Sequence, residues 1–191
     1  MTELSDTLAP AKKDSIKIEN KPDAKSNKNH SFLERDFSDT ARIKSVQRFV
    51  THIDSEKFKD SLELENEDFM ENMTDGGGSL TGYFQNGKLV KIAEWYGLSW
   101  GVLQATFYLK NDKLAFVKET EDHFYTDSMG TDPSRFDTHF IGEYYFDNDH
   151  LFDEVSVGHN RFEIDENDAG NEYPERFRKN RKIILDHRNK K

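Results

Sequence analysis

The chain of 191 residues contains no cysteine, which excludes disulfide bonds, thiolate metal sites and a cysteine nucleophile. It also lacks any apolar run near the roughly 18 residues that a membrane-spanning helix needs. Basic residues are outnumbered, 27 against 37 acidic ones, and the net charge of −10 argues against a nucleic-acid partner, which needs positive surface. Hydrophobic residues make up only 34%, no more than the charged residues, so we expect part of the chain to remain unfolded.

Residues 1–36 are the part for which we expect no fold. They hold seven basic and seven acidic residues among Ser, Asn, Ala and Pro, with neither a helical nor a strand period of apolar residues. No basic n-region and apolar h-region of a signal peptide are present. Such a polar leader follows the removed signal and lipid-bearing cysteine of envelope lipoproteins, and it also occurs in cytoplasmic proteins with a loose N-terminus. We predict a disordered tether at 1–36, an α+β globular domain at 37–172 and a basic C-terminal helix or tail at 173–191.

Helical periodicity follows the tether. Ser38 or Asp39 can cap a helix that we predict over about 39–55. Its apolar residues recur every three or four positions and form one face: Ile43, Val46, Phe49, Val50 and Ile53. We predict a second short helix over residues 64–73, which the segment 74–78 with its three glycines ends.

A repeated hairpin pattern dominates the rest of the chain. Residues 83–89, 108–114 and 145–151 share the order tyrosine, large apolar, polar, Asn, Gly or Asp, Lys or His, leucine. Asn followed by Gly or Asp favours the type I′ turn, in which both central residues have positive φ. This register predicts one apolar sheet face, formed by the pairs Phe84–Leu89, Leu109–Leu114, Phe146–Leu151 and Phe107–Phe116. Between the second and third hairpins, residues 126–136 predict a loop, with strands resuming at about 138.

The opposite sheet face carries Tyr83, Tyr108 and Tyr145, so it is partly apolar as well and must be covered. The N-terminal helix is the nearest candidate, and the sequence leaves open which face it takes. We therefore predict an α+β fold, with an N-terminal helix or helices packed on an antiparallel β-meander of about six strands.

The C-terminal segment differs from the rest in charge. Pro174 suits the first residue of a last helix. Residues 174–191 carry eight basic and two acidic residues, which leaves −16 on the remainder of the chain. Such a helix can bind phosphate or an anionic membrane surface. Pairing with the acidic body of the same protein is favoured over both, and Phe177, Ile183 and Ile184 can dock the helix on the domain.

Sequence motifs for catalysis are weak. His123 and His139 flank the predicted 126–136 loop and could converge there with Asp127, Asp132 or Asp137 as a metal site. Strand-end histidines that face water explain the same pattern without a metal. This cluster supports an alternative function, a metal-assisted hydrolase.

Aromatic residues offer a different candidate site. Trp95, Tyr96 and Trp100 surround one predicted turn, and rings at a sheet end suit a sugar, peptide or protein surface. The candidate ligand-binding residues are Trp95, Tyr96, Trp100, Tyr83, Tyr108 and Tyr145. Ordinary sheet packing also favours aromatic residues and explains most of these without a ligand.

The pattern Tyr-Phe-x-Asn-Gly-x-Leu at residues 83–89 resembles the repeated hairpins of uncharacterised bacterial envelope lipoproteins and, more distantly, MORN-like repeat proteins. The resemblance covers about 80 residues, and the uneven separations of 25 and 37 residues between the asparagines depart from a regular MORN array. The resemblance implies a non-enzymatic protein of the bacterial cell envelope or periplasm. Such a protein would be anchored peripherally to the membrane through the N-terminus of its precursor.

Together these features predict a non-catalytic binding or interaction module, tethered to an envelope. We expect no cofactor, and a protein or a small ligand as partner. The metal-assisted hydrolase is one alternative. An immunity or inhibitor-type protein, whose acidic body blocks a basic enzyme, is the other.

Overall fold

The computed structural model describes residues 37–158 and 168–190, so the tether predicted for 1–36 lies outside the described residues. Within them, seven strands form one antiparallel sheet in the order of the sequence. The elements are α1 (Phe37–Ser55), β1 (Asp60–Glu65), β2 (Gly78–Gln85), β3 (Lys88–Leu98), β4 (Gly101–Lys110), β5 (Lys113–Asp127), β6 (Gly130–Asp147), β7 (His150–Val157) and α2 (Ala169–Arg188). The predicted α+β class and antiparallel meander are confirmed.

The strand count differs from the predicted six, and two local predictions are wrong. The helix predicted over 64–73 is absent, because Leu62 and Leu64 alternate with exposed residues as β1 and only a short 3₁₀ turn follows at Asn66–Asp68. The loop predicted at 126–136 is also wrong. β5 and β6 pair across it, with Thr126 opposite Thr131.

The three predicted turns adopt the expected conformation. Both central residues of each turn have positive φ, between 50° and 76°: Asn86 and Gly87, Asn111 and Asp112, Asn148 and Asp149. The second pair from each turn is also as predicted, namely Phe84–Leu89, Leu109–Leu114 and Phe146–Leu151. These local reversals fix the register in which β2 to β7 assemble.

A β-bulge follows the second residue pair of each of these hairpins and changes which face the next residues occupy. In the second hairpin Leu109 pairs with Leu114, but Tyr108 pairs with Phe116, so Ala115 is the extra residue. The predicted pairing of Phe107 with Phe116 is therefore wrong. Phe116 packs on the same face as Tyr108, whereas Phe107 points to the other face.

The second residue of these turns allows a direct test. Asp112 has a φ of 64°, and its ion pair with Arg181 is exposed and 3.6 Å long, so it contributes little. Asp112→Gly should relieve left-handed strain and raise the free energy of unfolding by about 0.5–1 kcal/mol. Asp149→Gly is the matched control, because the Asp149 carboxylate accepts a 2.8 Å hydrogen bond from the Leu114 amide that glycine loses. Urea denaturation should show no gain for that control, and equal gains would contradict this account.

Each helix covers one face of the sheet. Helix α1 packs Ile43 and Ile53 on the face with Tyr108, Phe116 and Tyr145. Helix α2 covers the other face, whose fully buried residues include Leu80, Ile92, Phe107 and Leu114. The sheet is therefore the middle of three layers, and both of its faces contribute to a hydrophobic core.

Helix α2 begins earlier than predicted. The Asp168 carboxylate caps it by accepting a 2.8 Å hydrogen bond from the Gly170 amide, so Pro174 lies inside the helix and is not its first residue. The boundary predicted at residue 172 falls within this helix. Phe177 and Ile184 are buried against the sheet, and Ile183 packs beside them. Gly82 on β2 permits this approach, since a Cβ there would lie 2.6 Å from Ile184 Cγ2.

Candidate functional site

The two ends of the sheet differ in character. The proximal end carries the three tight turns at the asparagines. The distal end is formed by the segment 70–77, the β3–β4 turn, the β5–β6 hairpin and the end of β7. Backbone hydrogen bonds of about 3.0 Å between Gly76 and Gly97 and between Gly97 and Gly77 fasten the segment 70–77 to β3 at this end.

Exposed apolar side chains concentrate at the distal end. The exposed large hydrophobic residues of the described chain are Met73 (54%), Trp100 (40%), Met129 (92%), Phe136 (54%), Val155 (39%) and Val157 (69%). Five of the six belong to the distal half of the sheet or to the segments beyond it, and Val155 lies at the middle, in the row that runs through Glu143 and Ala93. Single exposed hydrophobic residues are common on protein surfaces, but this one-sided placement is typical of an interaction surface.

Two of the predicted ligand-binding aromatics, Tyr108 and Tyr145, belong to the core under α1. The Tyr108 hydroxyl donates a 2.8 Å hydrogen bond to the Asp54 carboxylate, and the Tyr145 hydroxyl donates one of 2.8 Å to Glu143. Burial, together with these carboxylates, raises the pKa of both tyrosines. Tyr83 is half-buried, with its ring centroid 5.2 Å from that of Phe58. Tyr108 and Tyr145 therefore have almost no surface to offer a ligand.

The other three predicted aromatics lie towards the distal end but do not share a face. Trp95 and Tyr96 are adjacent on β3 and point to opposite sides of the sheet. The Tyr96 ring packs 6.0 Å from Phe69 on the α2 side, and burial and Glu94 raise its pKa. Trp100 lies in the β3–β4 turn with its ring centroid 4.5 Å from that of His123. The six aromatics consequently do not form a single binding surface, and Trp100 is the most exposed predicted residue among them.

The two histidines proposed for a metal site are held apart by the register. Asp122 lies opposite His139, and a short contact joins their side chains. The neighbouring pair is His123 opposite Thr138, so the two imidazoles project from opposite faces. His123 lies 3.6 Å from the Glu121 carboxylate on its own strand.

Two of the aspartates proposed for that site, Asp127 and Asp132, accept hydrogen bonds from their own turns. Asp132 accepts hydrogen bonds from the backbone amide and the hydroxyl of Ser134, and these bonds lower its pKa. Asp137 is exposed on β6. Within residues 37–158 and 168–190, no group of three or more acidic or histidine side chains is placed to hold a metal ion.

A buried charge cluster, absent from the predictions, joins α2 to the sheet. The Arg176 guanidinium contacts Glu94 directly and lies 3.0 Å from Glu119, and both glutamate side chains are fully buried. Asn180 donates a 2.5 Å hydrogen bond to Glu94. Burial raises the pKa of Glu94, and Arg176 partly opposes this. Burial alone would lower the pKa of Arg176, but the two glutamates raise it.

An open cleft of about 420 Å³ adjoins this cluster. Its walls are Phe69, Met70, Tyr96 and Leu103 on one side and Arg176, Lys179 and Asn180 of α2 on the other. The Glu94 and Glu119 side chains lie behind it with no exposed surface. The cluster therefore acts within the protein, where it anchors α2, and does not present its carboxylates to the cleft.

The β5–β6 hairpin extends beyond the described pairings of β4 and β7, and its base is joined to the β3–β4 turn by a 2.9 Å hydrogen bond from the Phe124 amide to the Trp100 carbonyl. The pairing of β4 with β5 ends at Gly101 and His123, and the pairing of β7 with β6 ends at Val157 and Ile141. Beyond these points, among the described residues, strand pairing of residues 124–137 is only between β5 and β6. We call residues 124–137 the arm.

Side-chain contacts stiffen the arm from within. The rings of Phe124 and Phe136 stack with centroids 5.5 Å apart, and the Arg135 guanidinium lies 4.1 Å above the Tyr125 ring. At the tip, the Asp127 carboxylate accepts a 2.7 Å hydrogen bond from the Met129 amide. A two-stranded ribbon is only marginally stable in water, so these contacts maintain its shape.

A comparison of the chain with protein-family models, curated proteins and solved structures found no match. Neither described helix has the length and apolar character needed to cross a bilayer.

Proposed function

We propose that this chain is a non-catalytic interaction module that binds a protein partner through the distal end of its sheet. The observation that carries the proposal is the placement of five of the six exposed large hydrophobic residues in the distal half, with the sixth, Val155, at the middle of the sheet. Interfaces depend on a few apolar or aromatic anchors surrounded by polar groups, and Trp100 and Met129 have the exposure that such anchors require.

The strongly perturbed ionisable groups favour binding over catalysis, because their contacts are structural. Glu94 and Arg176 connect α2 to the sheet, and Tyr108 and Tyr145 connect α1 to it through Asp54 and Gln47. The composition of residues 1–36 and the resemblance of the hairpins to those of envelope lipoproteins support an envelope-tethered setting for the module.

The test compares variants at the two ends of the sheet. A protein recovered with the full chain from extracts of the source organism is identified and purified, and its affinity is measured by titration calorimetry. Trp100→Ala and Val157→Ser should each weaken binding by about tenfold or more, the usual effect of losing an interface anchor. Lys88→Ala and Lys110→Ala, at exposed proximal positions, are the controls and should bind as the wild type does. Thermal melting monitored by circular dichroism verifies that all four variants fold.

Equal binding by the distal variants and the wild type would refute the proposal. So would a loss of binding confined to the proximal variants.

A further inference from the structure

The arm offers a more specific inference, which rests on the proposed function. We propose that the arm inserts into a concave surface of a partner protein, with an apolar floor for Met129 and a rim of lysine and arginine for Asp127 and Asp132. Three features support this: the preformed shape of the arm, the chemistry of its tip and the negative charge of the sheet-bearing part of the chain.

The arm is already ordered in the shape that insertion requires. The Phe124–Phe136 stack lies near its base, and a 3.1 Å hydrogen bond joins the hydroxyls of Thr126 and Thr131 across the strands. A segment that is rigid before binding loses little conformational entropy in the complex. Extended strands advance about 3.4 Å per residue, so the arm can reach on the order of 15 Å beyond the sheet.

The tip combines one apolar side chain with fixed carboxylates. Met129 is 92% exposed, and methionine adapts to irregular apolar pockets. Asp127 accepts a hydrogen bond from the Met129 amide and Asp132 accepts one from Ser134, and both aspartates line the same small depression as Met129. The hydrogen bonds from Ser134 lower the pKa of Asp132, which keeps that group charged at neutral pH. An apolar pocket with a basic rim complements this tip.

The charge of the whole molecule selects a basic partner over a second copy. Residues 1–36 are neutral and residues 174–191 carry +6, so the sheet-bearing part of the chain carries −16. The cations of α2 are partly neutralised by acids of the sheet, as in the pairs Arg188–Asp60 and Arg176–Glu119. Two copies with a net charge of −10 repel each other, whereas a basic partner is attracted to the acidic chain.

The experiment places a photo-crosslinking amino acid at position 129 of the full chain, in an extract of the source organism. We expect a covalent adduct with a heterologous protein, whose contacted surface is then located by mass spectrometry of the crosslinked peptide. Binding of that purified protein should fall about tenfold with Met129→Ser. It should fall about three- to tenfold with Asp127→Asn or Asp132→Asn, and these two losses should shrink as salt is raised.

The asparagine variants are isosteric and keep the acceptor oxygens that hold the turn, so they remove charge without unfolding the arm. Asp112→Asn, at the proximal end, removes the same charge and should leave binding unchanged. An adduct with a second copy of this chain overturns the inference, as does a crosslinked surface without lysine or arginine. The absence of any adduct overturns it too. If the arm variants bind normally while Trp100→Ala does not, the arm inference fails and the proposed function stands.

Discussion

Replacing Arg176 with methionine is expected to lower the free energy of unfolding by about 3–5 kcal/mol, because two fully buried carboxylates lose their shared cation. Methionine preserves much of the apolar stem, so the loss reports the charge and not the packing. For a chain of this size the melting temperature should fall by on the order of 10 °C. Urea denaturation and thermal melting at neutral pH measure both quantities.

Glu94→Gln is the matched control for the charge cluster. Glutamine keeps an acceptor for the Asn180 amide and fits a site whose burial already disfavours the charged carboxylate. Arg176 retains Glu119 as its partner. We expect a change in stability of about 1 kcal/mol or less. A methionine variant at position 176 as stable as the wild type would show that α2 is held by apolar contacts alone.

Phe107→Ala should have an effect of similar size on the apolar part of the same layer. Phe107 is fully buried, with its ring 6.3 Å from Tyr173 of α2 in an edge-on arrangement. Removing the ring leaves a cavity and should lower the free energy of unfolding by about 3–5 kcal/mol in urea denaturation.

Phe136→Ala makes the same chemical change at a residue that is 54% exposed. It should cost less than about 1 kcal/mol, since little apolar surface is withdrawn from water there. Equal losses for the two variants would contradict the assignment of Phe107 to the core and of Phe136 to the surface of the arm.

The sequence predicts the turns well because a type I′ turn depends on two adjacent residues. Asn111 and Asp112 tolerate positive φ, and their position alone fixes the pairing of Leu109 with Leu114. The bulge that follows depends on packing across strands, so Phe116 could not be assigned to its face from spacing. β1 was missed because it is only six residues long, with Leu62 and Leu64 as its two buried residues, while Phe69, Met70 and Met73 recur at helical spacings of three and four just after it.

The candidate site was harder to predict than the fold. The sequence predicted a turn beside Trp100, and this residue lies exposed in the β3–β4 turn, whereas its part in binding stays a prediction. The arm was predicted as a loop because its residues 126–134 are polar, and its strands are defined by pairing with each other. Glu94 and Glu119 look like ordinary solvent-facing positions of a strand, and only the approach of Arg176 from the distant α2 explains their burial.

The position of α2 at the C-terminal side of the meander has a consequence for biosynthesis. Each of the seven strands pairs with its neighbours in the sequence, so the sheet can assemble as the chain leaves the ribosome. One apolar face of the sheet stays uncovered until Ala169–Arg188 has been translated. Until then, the nascent chain presents Leu80, Ile92 and Phe107 to chaperones and proteases. A premature stop codon ahead of α2 would therefore yield an aggregation-prone fragment that cells degrade.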